Sequence, residues 1–277
     1  MLRFVPILAA AMLASQSMLV AASPVQPTGK WFVDYRPTAC EAKRQFGDVA
    51  LVVSPGPLGQ STRLMLELPG KAARARQYPA RVDPGDGRGV EKATAILFPS
   101  AKTGMRRLYA VLPNALVARS MASGSIDISA GNAGTRIAVD SARAALALGS
   151  TSSLVKALDK CMADLKVQWR MVDGKLPAPA AASRSEGDVR GIFRYTDYPE
   201  DAIQAGQGGT ANYLLMIGKD GSVMDCVVAQ SSGIASLDAM GCQVIRERAK
   251  FKPAADANGK PTVDTYVTPP IRWMISG

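Results

Sequence analysis

The stretch CVVAQSSGIASLDAMGC places Cys226 and Cys242 sixteen residues apart, with three serines and one acid between them. Residues of these types can bind a metal, exchange electrons, supply a nucleophile or form a crosslink. The chain contains no histidine, which removes Ser-His-Asp and Cys-His catalysis. The remaining cysteines, Cys40 and Cys161, are far from this pair and from each other, unlike the close Cys or His pairs of a zinc site. No C-x-x-C redox motif occurs. No metal or cofactor is expected.

A Ser-Lys nucleophile survives this elimination. Ser153-Leu154-Val155-Lys156 fits S-x-x-K, and Lys102-Thr103-Gly104 fits K-T-G. Their order is reversed relative to acyl-transfer enzymes, the third motif is missing, and Ser153 reads as a helix start. GDGRG at 85–89 has the glycines of a phosphate loop without the following Gly-Lys-Ser/Thr, so it reads as a turn. Trp31, Trp169 and Trp273 read as core or interface anchors. The chain is expected not to be an enzyme.

What the cysteines do depends on the compartment. The chain opens with one cation, Arg3, an apolar run over 4–14, and small residues Ala21, Ala22 and Ser23. That is the layout of a signal peptide cut after Ala22. The run is short for a membrane-spanning helix of about 20 residues; an uncleaved inner-membrane anchor is the alternative, if Met18 to Ala22 extend it. Export to an oxidising periplasm makes disulfides the expected fate of an even number of cysteines. Three pairings are open, and Cys40–Cys161 and Cys226–Cys242 are the natural ones within the units described next.

The expected fold class is α+β. Between residues 24 and 170, WFVDYR, DVALVV, RLMLELPG, ATAILF, RRLYAVLP, GSIDISA and GTRIAVD read as short strands separated by turns. Leu154, Leu158, Cys161, Met162 and Leu165 then recur at helical spacing, giving a β-rich domain closed by one helix. Residues 171–190 are small, polar and Pro-containing and read as a linker. From 191 to 277 the pattern is helix (YPEDAIQAG), hairpin (GTANYLLMI-KDG-SVMDCVV), helix (236–249), and a last strand broken by Pro269 and Pro270, which belongs at an edge. In the hairpin Met224, Cys226 and Val228 share one face, so Cys226 faces the second helix and Cys242. A crosslink there closes a loop contributing about 3 kcal/mol.

Charge is divided unevenly. Residues 24–190 hold 24 Lys and Arg against 14 Asp and Glu, whereas 191–277 hold 8 against 9. A basic exported domain suits anionic lipid or a cell-wall polymer better than nucleic acid.

Several pieces of the last 87 residues stand in an order that resembles the C-terminal domain of the TonB family: Tyr198-Pro199 with Ala202, Gly209, Lys219-Asp220-Gly221-Ser222-Val223, Ser231-Ser232-Gly233, Leu237-Asp238, Phe251-Lys252-Pro253-Ala254, Asn258-Gly259-Lys260-Pro261 and Ile271-Arg272-Trp273. The resemblance implies two helices on a three-stranded antiparallel sheet. It also implies a partner, the short extended peptide of an outer-membrane TonB-dependent receptor, gripped by strand addition, and a role in energy-dependent transport across the outer membrane. Carried over by position, the recruiting edge is Ile271, Arg272, Trp273, Met274 and Ile275. The chain departs from the family in lacking a histidine-bearing membrane helix and a long Pro-, Glu- and Lys-rich spacer. The rival expectation is an envelope-structural or cell-wall-associated adaptor, bound through its basic N-terminal domain.

Overall fold

The computed structural model describes residues 23–36, 39–131, 141–168, 183 and 185–275. The signal segment 1–22, the strand expected at GTRIAVD, Trp169 and most of the linker lie outside the described residues. Among those described, no helix is long and apolar enough to cross a membrane.

A nine-stranded antiparallel sheet dominates. Its strands are β1 (Phe32–Tyr35), β2 (Cys40–Phe46), β3 (Val49–Pro55), β4 (Ser61–Pro69), β5 (Arg76–Asp83), β6 (Glu91–Pro99), β7 (Met105–Pro113), β8 (Ser125–Gly131) and β9 (Ser141–Ala147), in the spatial order β1-β2-β3-β4-β7-β6-β5-β8-β9. The sheet curls: Val25 exchanges backbone hydrogen bonds with Ala145 and Ala147 of β9, while Thr28 donates to Gln45 of β2. Alternation along the strands sorts the side chains. Leu64, Leu66 and Leu68, Tyr78, Ala80 and Val82, and Leu108, Ala110 and Leu112 join one buried cluster. Gln77, Thr94 and Tyr109 alternate with these positions and face the other way.

Two helices pack on the curled sheet where the sequence suggested one: α1 (Asn114–Ser123) and α2 (Ser152–Gln168). The first has no loop to announce it in the sequence, because it directly follows β7. Its buried face is Leu116, Val117, Ser120 and Met121, and it stops at Gly124, which takes the left-handed conformation (φ 73°). Strand β2 gives little sequence signal, because polar and charged residues separate its inward Cys40, Ala42 and Phe46. Pro79 masks strand β5 in the sequence; β8 pairs with β5 only from Ala80 onward, so Pro79 has one strand neighbour, β6. Cys40 is bonded to Cys161 (Cα–Cα 6.0 Å), tying β2 to α2 across 121 residues.

The second sheet is built on α3 (Glu200–Gln204), β10 (Gly209–Ile217), β11 (Val223–Gln230), α4 (Ala235–Arg248), a minor pair β12 (Ala254–Ala255) and β13 (Pro261–Thr262), then β14 (Asp264–Val267) and β15 (Ile271–Trp273). Strand β10 is central. Strand β11 lies on one side, and β14 and β15 lie end to end on the other, separated at Pro269-Pro270. The Asp220-Gly221 turn joins β10 to β11, and Gly221 (φ 76°) leaves no room for a side chain: a Cβ there would fall 1.9 Å from the Phe251 carbonyl. Residues 185–190, expected to be linker, instead lie along this sheet. Glu186 pairs with Lys252 through backbone hydrogen bonds in both directions, and Val189 is fully buried.

The two sheets share their packing. Leu214 and Ala229 of the small sheet belong to the large sheet's cluster, and Val111 of β7 belongs to the small one.

Candidate partner-binding edge

An antiparallel sheet has two edges, and an edge with free N–H and C=O groups is a template for another strand. The small sheet treats its two edges differently.

The β11 edge is blunted. The Cys226 N–H donates to the Asp225 carboxylate at 2.8 Å, and the Cys226 carbonyl accepts from Arg246 of α4 at 3.3 Å. Arg246 is also ion-paired with Asp225. The Val228 carbonyl faces the β3–β4 loop, close enough that a Cβ on Gly56 would lie 3.4 Å from it. Arg36, beside the β1–β2 turn, is held charged above its ordinary range by its hydrogen bond to Asp34 and by Glu41, and Asp225 adds to the effect. Cys226 is bonded to Cys242 (Cα–Cα 5.6 Å), which clamps this strand to α4 from behind.

The opposite edge is open at β15 among the described residues. Among the described residues β14 and β15 pair only with β10. In β15 Ile271 and Trp273 are buried and Arg272 is exposed. The ring of Trp273 is held edge-on by Phe193 at 5.4 Å and Tyr198 at 5.5 Å, and the Tyr198 hydroxyl is anchored by donating to the Gln207 carbonyl. A Cβ on Gly208 would fall 2.7 Å from the Trp273 carbonyl, so that carbonyl points toward β10. Alternation along the strand then turns the N–H and C=O of Arg272 to the open side. Met274 and Ile275 lie past the strand's end, exposed and outside any ladder.

The loop-to-helix motif that precedes α4 also has a structural role. Asp238 is fully buried and accepts from the Ser231 hydroxyl (2.5 Å), the Ser232 N–H (2.8 Å) and the Ser232 hydroxyl (2.8 Å). Burial pushes its pKa up, and these bonds offset part of the shift. Below it Gly241 admits the Tyr213 ring: a Cβ there would lie 2.0 Å from the Tyr213 hydroxyl. Asp197 accepts two bonds from the Arg248 guanidinium, at 2.6 and 2.7 Å, which holds its pKa below the usual carboxylate range.

These features meet a family at the level of sequence. Residues 194–275 match the family model of the Gram-negative bacterial TonB protein C-terminal. The TonB-like segment thus spans α3 through β15, including the buried Trp273 and the open edge beside it. No curated protein and no solved structure matches the chain.

The TonB-like segment is seated on the large sheet. Helix α4 has no side-chain cap of its own, its N-cap position being Ile234. Its first two N–H groups are instead taken by strands of the other sheet. Ala235 donates to the Thr94 hydroxyl at 2.8 Å, and Ser236 donates to the Gln77 side-chain oxygen at 2.8 Å. Thr94 in turn donates to the Gly233 carbonyl, Gln77 donates from its amide nitrogen to Gln207, and the Gln77 backbone N–H donates to Asp201 at 2.7 Å. No motif could have signalled this, because Gln77 and Thr94 are ordinary outward residues of strands remote in sequence.

Of the Ser-Lys residues, Ser153 and Lys156 lie exposed on the first turns of α2. Lys102 sits in the β6–β7 turn, where its ammonium is held by Glu67 at 2.5 Å.

Proposed function

We propose that the protein is a non-enzymatic component of the cell envelope that captures an extended peptide of a partner by strand addition along β15. The observation that carries this reading is the asymmetry of the two edges: β11 is closed by Asp225, Arg246 and the neighbouring sheet, whereas β15 offers the backbone of Arg272 to an incoming strand. Main-chain hydrogen bonds supply affinity in such a mode, and alternate side chains supply specificity. The TonB-like segment supports an outer-membrane receptor peptide as the partner and transport across the outer membrane as the process served. Together with the signal-like N-terminus it supports a periplasmic location. The Cys226–Cys242 and Cys40–Cys161 bonds fit that compartment.

The test uses a labelled peptide copying the N-terminal segment of a receptor from the same outer membrane. Arg272→Pro removes the outward N–H while sparing the buried Ile271 and Trp273. Fluorescence anisotropy is expected to show saturable binding that this variant abolishes and that Arg272→Ala largely retains. Binding indifferent to the proline contradicts strand addition at β15.

A second reading rests on the basic character of residues 24–190. Lys71 and Arg74 on the β4–β5 loop and Arg76 at the start of β5 are exposed, a surface suited to an anionic wall polymer. Sedimentation with cell-wall material that disappears between low and moderate salt supports that reading.

A further inference from the structure

We propose that the large sheet carries a second site, a cleft between α1 and α2 that binds a single-chain anionic amphiphile such as a long-chain carboxylate. The cleft has a volume of about 740 Å³, within the roughly 300–1,000 Å³ typical of small-molecule sites. Its walls are mainly apolar: Val53 of β3, Val117 and Met121 of α1, and Val155 and Leu158 of α2. None of these residues belongs to the partner-binding edge.

Of the polar groups in the lining, Thr62 and Asn114 are hydrogen-bonded to each other and Ser123 donates to the Pro84 carbonyl; others gather where α2 begins. Ser150, Ser152 and Lys156 line the cleft there. The first N–H groups of a helix lack partners within it, and its N-terminal end carries partial positive charge. Thr151, immediately before α2, does not quench them: its hydroxyl donates to the Met121 carbonyl at 2.6 Å, and no side-chain acceptor for the first N–H groups of α2 is present among the described residues. Side chains on a helix lean toward its N-terminus, so Lys156, in the second turn of α2 and in the cleft lining, is within reach of this same end. Lys156 is exposed and has no ion-pair partner among the described residues. The one acid lining the cleft, Asp159, lies nearly a full turn further along α2. An apolar channel with positive potential at one end matches a hydrocarbon chain ending in an anion. A cationic or wholly polar ligand would leave one half of this surface unmatched.

The test measures binding of dodecanoate and of the uncharged 1-dodecanol to the exported, oxidised chain by displacement of a fluorescent apolar dye. Saturable one-to-one binding of dodecanoate is expected. Lys156→Gln should weaken dodecanoate about tenfold or more, the loss of one charge-assisted contact, while leaving dodecanol unchanged. Val155→Trp should block both ligands; Val155 is already 38% exposed, so the larger ring fills the cleft without entering the core. The proposal is overturned if dodecanoate shows no saturable binding, if Val155→Trp leaves binding intact, or if Lys156→Gln weakens the acid and the alcohol equally. Because the receptor peptide binds elsewhere, Arg272→Pro should not alter dodecanoate affinity.

Discussion

At Thr94 a single hydroxyl does two jobs, accepting from the Ala235 N–H and donating to the Gly233 carbonyl. Thr94→Val keeps the shape and removes both bonds, leaving the buried Ala235 N–H unpaired. The expected loss is about 1–3 kcal/mol, at the upper end of the range for a lost N-cap, read as a lower urea midpoint. A midpoint unchanged from wild type would show that the hydroxyl does not cap α4. Two buried carboxylates respond to pH in opposite senses. Asp197 has its folded pKa depressed by Arg248, so its contribution is present above the unfolded value near 3.9 and is lost as pH falls through the folded one. Asp238 has its folded pKa raised by burial, so its contribution is full below the unfolded value and is lost as pH rises through the folded one. Arg248→Gln is therefore expected to flatten the acid limb of the stability profile, and Asp238→Asn to remove a component that declines on the alkaline side. Urea titrations across pH 3 to 7 check both signs; an acid limb identical in Arg248→Gln and wild type contradicts the Asp197 assignment.

At the scale of elements, the Cys226–Cys242 bond holds an edge strand on a helix. Reduction, or the double change Cys226→Ser and Cys242→Ser, is expected to cost about 3 kcal/mol by the loop-closure estimate for a loop of this length. The loss should be accompanied by faster amide exchange in β11. Exchange in β11 as slow as in the oxidised chain would show that α4 holds the strand without the bond. The elements of the TonB-like segment were legible because their signals are local. Asp220-Gly221 demands a turn, Gly206 stops α3, and the Pro269-Pro270 pair can sit only where a ladder hydrogen bond is not needed. Met224, Cys226 and Val228 alternate as a half-buried strand must. In the large sheet the signals conflict. Strand β2 carries four charged or amide side chains among its seven residues, β5 contains a proline, and β9 is built of small residues with little β preference. Helix α1 begins at the residue after a strand, leaving no loop to announce it. The edge asymmetry was not legible at all, since it depends on Arg246 and Gly56 arriving beside β11 from remote positions.

At the scale of the molecule, the seating of α4 on β5 and β6 makes the large sheet part of the same folded unit as the proposed partner-binding edge. Five cross-sheet hydrogen bonds involve Gln77 or Thr94, and each sheet contributes residues to the other's core. The oxidised protein is accordingly expected to unfold in one cooperative transition, with calorimetric and van't Hoff enthalpies that agree. Two resolved transitions would mean that the sheets are only loosely joined. The seating also underlies the proposed choice of edge, because the large sheet stands against β11. The most direct measurement is amide hydrogen exchange of the oxidised chain with and without the receptor-derived peptide. The account predicts new protection at Arg272, with β11 unchanged. Protection confined to β11, to α4 or to the large sheet, with none at Arg272, would contradict it.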